Sequence, residues 1–180
     1  FHAARGLEDE VPEWIDSWEG EGIIARIQNQ RMMARLKKFE TPVIDVLGVT
    51  ENQFPLVHVD DAQISQLVAR HFLEREFVHF GFYGIADENW SQRREAAFRE
   101  FTLSGDSFAS LNAQRGKSEG DSAHFAEMQA WLIELPKPVA IMVCSDQRGL
   151  ILLEAARTAG ITVPEQVAVV GVDNDLALCE

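Results

Sequence analysis

PVAIMVCSDQRGLILLEAARTAGITVPEQVAVVGVDND, residues 138 to 175, reads as three elements in succession. Val139–Cys144 is an unbroken apolar run with prolines at 136 and 138 to start it. Gln147–Ile161 carries apolar residues at helical spacing and closes on Gly160, which suits the left-handed backbone just past a helix. Val167–Val172 is apolar again and stops at Asp173, Asn174 and Asp175. Two apolar runs joined by a helix make a βαβ unit. Strands that are apolar without alternation suit a parallel sheet covered on both faces.

The same alternation extends toward the N-terminus. GIIARI (Gly22–Ile27) is strand-like, and Gln28–Phe39 has Met32, Met33, Leu36 and Phe39 on one helical face. Thr41–Val49 and Phe54–Val59 are two further extended runs. The second ends at Asp60-Asp61, which cap a helix carrying Ile64, Leu67, Val68, His71 and Phe72. Phe77–Gly84 predicts a strand, Trp90–Phe101 a helix, Gly105–Asn112 a weaker strand and Asp121–Leu135 an amphipathic helix. Strands alternating with helices of roughly 10–15 residues predict an α/β fold built on parallel sheet.

The bulk composition narrows the function. The 180 residues fit one domain or two small lobes. Sixteen Lys and Arg against 29 Asp and Glu leave a formal net charge of −13, and so acidic a surface repels phosphate backbones. No apolar run approaches the ~18 residues of a membrane span, so no membrane contact is expected. Cys144 and Cys179 form no CxxC pair, and each adjoins an apolar run, so both are read as buried thiols in a reducing compartment. His58, His71, His79 and His124 lack metal-ligand spacing, and no metal or other cofactor is expected. Glycine-rich nucleotide loops and a GxSxG elbow are absent. The opening FHAARGLEDEVPEW is no signal peptide, and both ends read as cut.

Ligands of open parallel sheets bind beyond the carboxyl ends of the strands. Polar residues recur there: Asp60, the loop to Trp90, Ser145 and Asp146, then Asp173 and Asn174. Carboxylates and amides exchange hydrogen bonds with hydroxyls, an arginine such as Arg94 can fork across two of them, and a tryptophan can stack on a sugar ring. Together these make a neutral-sugar site. Blander readings stand beside it: Asp61 and Asp146 as helix caps, Arg94 on a solvated face, Trp131 in the core. Asp173 resists the capping reading, because no clear helix follows it.

At this point the residues resemble a family. Residues 138–175 are similar to the ligand-binding domain shared by lactose-repressor-type regulators and periplasmic sugar-binding proteins. There a strand ends in Asn/Ser-Asp, a helix and a VP turn follow, and a VAVVGFDD-like strand comes next. RREAAF (Arg93–Phe98) resembles that superfamily's R-x-x-G-F helix start, with Ala97 in place of Gly. With WEGEGIIARI, VHVDDAQISQLVARHFLEREFVHFGFYG, WSQRREAAFREF and GVDND, the chain from about Trp14 to Glu180 resembles the xylose-operon regulators.

The resemblance implies two doubly wound parallel-sheet lobes of the type I periplasmic-binding-protein kind, incomplete at both ends. Residues 1–75 would belong to the N-terminal lobe and 76–180 to the C-terminal lobe, with a crossing near Leu73–Phe77. A pentose, D-xylose, would lie in the cleft and favour its closure. Arg94 would fork onto sugar hydroxyls, with Asp173, Asp146 and Asp60 as acceptors and Trp90 as a stacking surface. Ser145 stands where an Asn is common, and Asn174 and Arg148 are further candidates. The protein would be a cytoplasmic homodimer, contacting DNA through an arabinose-regulator-type domain outside this chain. A periplasmic sugar-binding protein of a transporter shares the fold, as does a lactose-repressor-type regulator with its DNA-binding segment upstream. A sugar-processing enzyme is the remaining class, though the chain is short for the eightfold barrel usual among glycosidases.

Overall fold

The computed structural model describes residues 11–48, 53–114 and 122–179. Two compact units divide the chain, Phe1–Val59 and Asp60–Glu180.

In the first unit a 3-10 turn (Glu13–Ser17) precedes β1 (Ile23–Ala25), α1 (Gln30–Leu36) and β2 (Val43–Asp45). β1 and β2 pair in parallel, with Ile24 opposite Ile44. Asn29 starts α1 by accepting the Met32 amide at 2.9 Å, and Met32, Met33 and Leu36 bury the predicted face. The Asp45 carboxylate, buried, receives the amides of Leu47 at 2.9 Å and Gly48 at 3.2 Å and so shapes the turn after β2. The extended run at 54–59 forms no strand of its own. A single bridge joins Leu56 to Asp45. Pro55 lacks an amide hydrogen and cannot extend a ladder.

The second unit contains α2 (Asp61–Leu73), β3 (His79–Ile85), α3 (Asn89–Phe101), β4 (Ser107–Ala113), α4 (Ser122–Glu134), β5 (Val139–Val143), α5 (Asp146–Thr158), β6 (Val167–Val170) and the single-turn α6 (Leu176–Cys179). Its sheet is wholly parallel in the order β4-β3-β5-β6. The strand period of two sends alternate residues to opposite faces. Tyr83, Ile141 and Val143 pack with Met128 and Leu132 of α4 and Leu152 of α5. Phe80, Phe82, Met142 and Cys144 pack with Phe72 of α2 and Phe98 of α3. Every residue of β5 is buried, which is why Val139–Val143 is apolar without alternation. α2, which the sequence groups with the N-terminal lobe, packs here through Val68, Ala69 and Phe72.

α5 ends as expected, with Gly160 at φ 71° just beyond Ala159. Three expectations change. A helix does follow Asp173: Asp175 turns the chain into α6 by accepting the Ala177 amide at 3.0 Å. Cys144 is buried, but Cys179 is exposed, because α6 is one turn long and none of its residues is buried. Trp131 is only partly buried against the core, with its ring close over Gly81. Among the described residues, no helix is long and apolar enough to cross a membrane, and no cluster of His, Cys, Asp or Glu could hold a metal ion.

Candidate functional site

β3 and β5 are neighbours, but the helices that follow them leave to opposite faces of the sheet. α3 covers the Phe80/Phe82 face and α5 the Ile141/Val143 face. At such a divergence, ligands of parallel sheets sit in the crevice beyond the strand ends. All eight sequence-selected residues lie in the second unit, and most of them border this edge.

Arg94, in the second turn of α3, is buried at 5% exposure, so the solvated-face reading does not hold. Its Nε donates to Asp61 Oδ1 at 2.9 Å and its Nη1 to the Cys144 carbonyl oxygen at 2.6 Å. The guanidinium carbon lies 4.9 Å from the centroid of the Trp90 ring, a cation–π distance. Trp90 is itself fixed, donating from Nε1 to Glu88 Oε2 at 2.9 Å. Among the described residues, Arg94 Nη2 donates to nothing. One edge of the fork is thus tied down and the other is available.

Asp60 and Asp61 exchange the parts the sequence assigns them. Asp60 is the N-cap of α2, its Oδ1 accepting the Gln63 amide at 2.9 Å. Asp61 is buried and takes two guanidinium bonds, from Arg94 and, at 2.8 Å, from Arg93. The Ser65 hydroxyl ties the same helices by donating to the Arg94 carbonyl oxygen at 3.0 Å. Asp61 and Glu88 are the residues that sequence reasoning missed. Neither sits in a motif; the signal was indirect, since a buried arginine requires a carboxylate partner.

On the β5–β6 side, Ser145 occupies the N-cap of α5 without a side-chain capping bond. The amide of Asp146 donates to the Val172 carbonyl at 2.9 Å. Its carboxylate, instead of capping α5, reaches across to accept the Asp175 amide at 2.8 Å. This clasp holds the 173–175 turn against α5. Within the turn Asp173 (φ 115°) and Asn174 (φ 54°) take positive backbone angles and present exposed side chains. Partial desolvation pushes the Asp173 carboxyl above its ordinary pKa; the Arg94 guanidinium pulls it back, and the carboxylates of Asp146 and Asp175 push it up again. Arg94 and Asp173 therefore feel each other's charge across the crevice.

Arg148 is buried one turn into α5, and its Nη1 has no hydrogen-bond partner. It lies beside Tyr83, whose phenol is raised by burial and lowered by Arg148. Tyr83 Oη also meets His124 Nε2 at 3.2 Å. Cys144, between the two arginines, is pushed up to about 11 by burial, so its thiol stays protonated at neutral pH.

The fold is a doubly covered parallel sheet with polar residues gathered at its strand ends. Residues 69–180 match the periplasmic binding protein-like domain family, and the chain belongs to that family. It is 26% identical to a xylose operon regulatory protein of Escherichia coli (strain K12), over 95% of this chain and 45% of that protein. A protein of the same name from Haemophilus influenzae is 28% identical over 94% of this chain and 47% of its own length. Catabolite control protein A of Priestia megaterium is 27% identical over 86% and 48%. The chain thus spans about half the length of the curated relatives it matches. Among solved structures, a xylose-binding transcription activator superposes with a TM-score of 0.78 at 23% identity, covering 88% of this chain and 44% of that one. The chain is thus similar to part of two xylose operon regulatory proteins and to part of a xylose-binding transcription activator.

Proposed function

We propose that this domain binds a neutral pentose, D-xylose, and reports its presence to an attached DNA-binding segment of a transcription regulator. The observation that carries the reading is Arg94: a buried guanidinium over a tryptophan face, with Nε and Nη1 committed and its charge felt by Asp173. An open N–H edge donates to hydroxyls, Asp173 and Asn174 accept from or exchange with them, and Trp90 offers an apolar face for a ring. Asp146 and Ser145 support the turn side of the site. Asp60 serves chiefly as a helix cap, and Arg148 borders the site from α5. The names of the regulatory relatives support both the sugar and the DNA-linked role.

No bond is made or broken in this reading. The regulator is a cytoplasmic homodimer whose DNA contacts lie outside these residues, in keeping with the charge of −13. The lobe assignment, 1–75 and 76–180, belongs to the same proposal. Coupling between effector and operator is typically ~1–3 kcal/mol, or ~5–150-fold in affinity. Calorimetric titration with D-xylose, L-arabinose and D-ribose tests the reading. A 1:1 heat confined to D-xylose supports it, and silence for all three removes the pentose. Turnover of an aryl glycoside would instead favour a sugar-processing enzyme.

A further inference from the structure

Two guanidinium bonds from α3 converge on Asp61, at the start of α2. Its side chain is 3% exposed and holds Arg94 Nε at 2.9 Å and Arg93 Nε at 2.8 Å. Arg93 is itself 43% exposed and can be satisfied by water. Arg94 is buried and depends on what surrounds it. A guanidinium is planar, so anchoring Nε to one carboxylate oxygen and Nη1 to the Cys144 carbonyl fixes the plane and the direction of Nη2 together. The same two anchors hold the cation over Trp90.

We propose that Asp61 is the positioning residue of the ligand site. By holding Arg94 against Trp90 it aims the free guanidinium edge at the ligand hydroxyls, and it sets affinity without contacting the ligand. The proposal rests on the sugar-binding reading for its ligand, but not for its geometry.

Two readouts on the full-length protein separate the two ideas. The first is ligand-independent. The Trp90 contribution to fluorescence is obtained as the difference between the protein and its Trp90→Phe variant, then measured again with Asp61→Asn in both. An unanchored Arg94 leaves the Trp90 face, so this difference emission changes in Asp61→Asn. The second is affinity for D-xylose by calorimetry. Replacing a charge-assisted anchor by a neutral one weakens binding about tenfold. In an Arg94→Lys background, where there is no fork left to aim, Asp61→Asn has no further effect. A residue that merely supports the fold would lower affinity equally in both backgrounds.

Asp61→Glu keeps the buried charge and displaces it by one methylene, so it serves if Asp61→Asn does not fold, with the same signs expected. An unchanged Trp90 emission together with undiminished affinity overturns the proposal, as does an equal affinity loss in the Arg94→Lys background. If the unaltered protein gives no heat with D-xylose, the pentose falls, and the emission alone decides Asp61: a change supports the anchoring and no change overturns it.

Discussion

Arg94→Ala is expected to cost stability as well as ligand. The substitution takes one of two guanidinium bonds from Asp61, whose side chain is 3% exposed. Removing one member of a buried ion pair costs ~3–5 kcal/mol. Arg93 still donates at 2.8 Å, which brings this case below that range, to about 2–3 kcal/mol. The Cys144 carbonyl loses its 2.6 Å donor, and an orphaned buried acceptor adds about 1 kcal/mol. The sum is about 3–4 kcal/mol, against a domain stability of ~5–15 kcal/mol. Urea unfolding followed by circular dichroism measures it, with the midpoint falling at unchanged slope. Adding Asp61→Ala should recover part of the loss, since the buried carboxylate that has lost Arg94 goes with it. A loss within ~0.5 kcal/mol is what an exposed arginine gives, and that result would refute the buried-pair argument.

Other expectations are independent of this one. Asp173→Asn keeps a residue tolerant of positive φ and removes the carboxylate. Its folded pKa is raised above the ordinary 3.8, so ionisation disfavours the folded state: stability falls as pH rises through the window above 3.8 and levels off beyond the folded pKa. The variant should therefore gain stability over the parent at neutral pH, with the gain vanishing in acid, while sugar affinity is lost; equal melts at both pH values would contradict the shift. Gly171→Ala would place a Cβ against Asp146 Oδ1, forcing the clasp on the Asp175 amide to yield; ligand affinity should drop several-fold, and an unchanged calorimetric titration would argue against the clasp. Thiol titration with an aromatic disulfide should consume one equivalent in the native protein, at Cys179, and the second only after unfolding, since Cys144 is buried and raised to about 11.

The second unit was legible because its central strands, β3 and β5, are buried on both faces. Val139–Val143 and Phe77–Gly84 could be read from apolar continuity alone, and Gly160 marked a helix end by backbone need. The strand ends identified the crevice, because a parallel sheet leaves only one edge for polar groups to gather. What stayed hidden were long-range pairings. Asp61 and Arg94 are 33 residues apart, and an acidic residue in a first helical turn is common for reasons of the helix dipole. Likewise Asp146 looked like a cap, since local sequence cannot show a carboxylate reaching 29 residues onward to the Asp175 amide. Phe54–Val59 misled because residue type suggested a strand and a single proline withheld the ladder.

The Asp146 clasp takes hold of the tip through backbone, while the Cys179 thiol, beyond the tip, meets the same carboxylate at 3.7 Å. The clasp's backbone partners are the Val172 carbonyl and the Asp175 amide, so exchanging residues 173 and 174 leaves it intact. Their positive φ values restrict the exchange to Asn, Asp and Gly. Under the proposed function, backbone geometry would leave the ligand a charge, an amide or an empty space at that tip. A change of effector that needs anything larger must be written elsewhere along the strand ends.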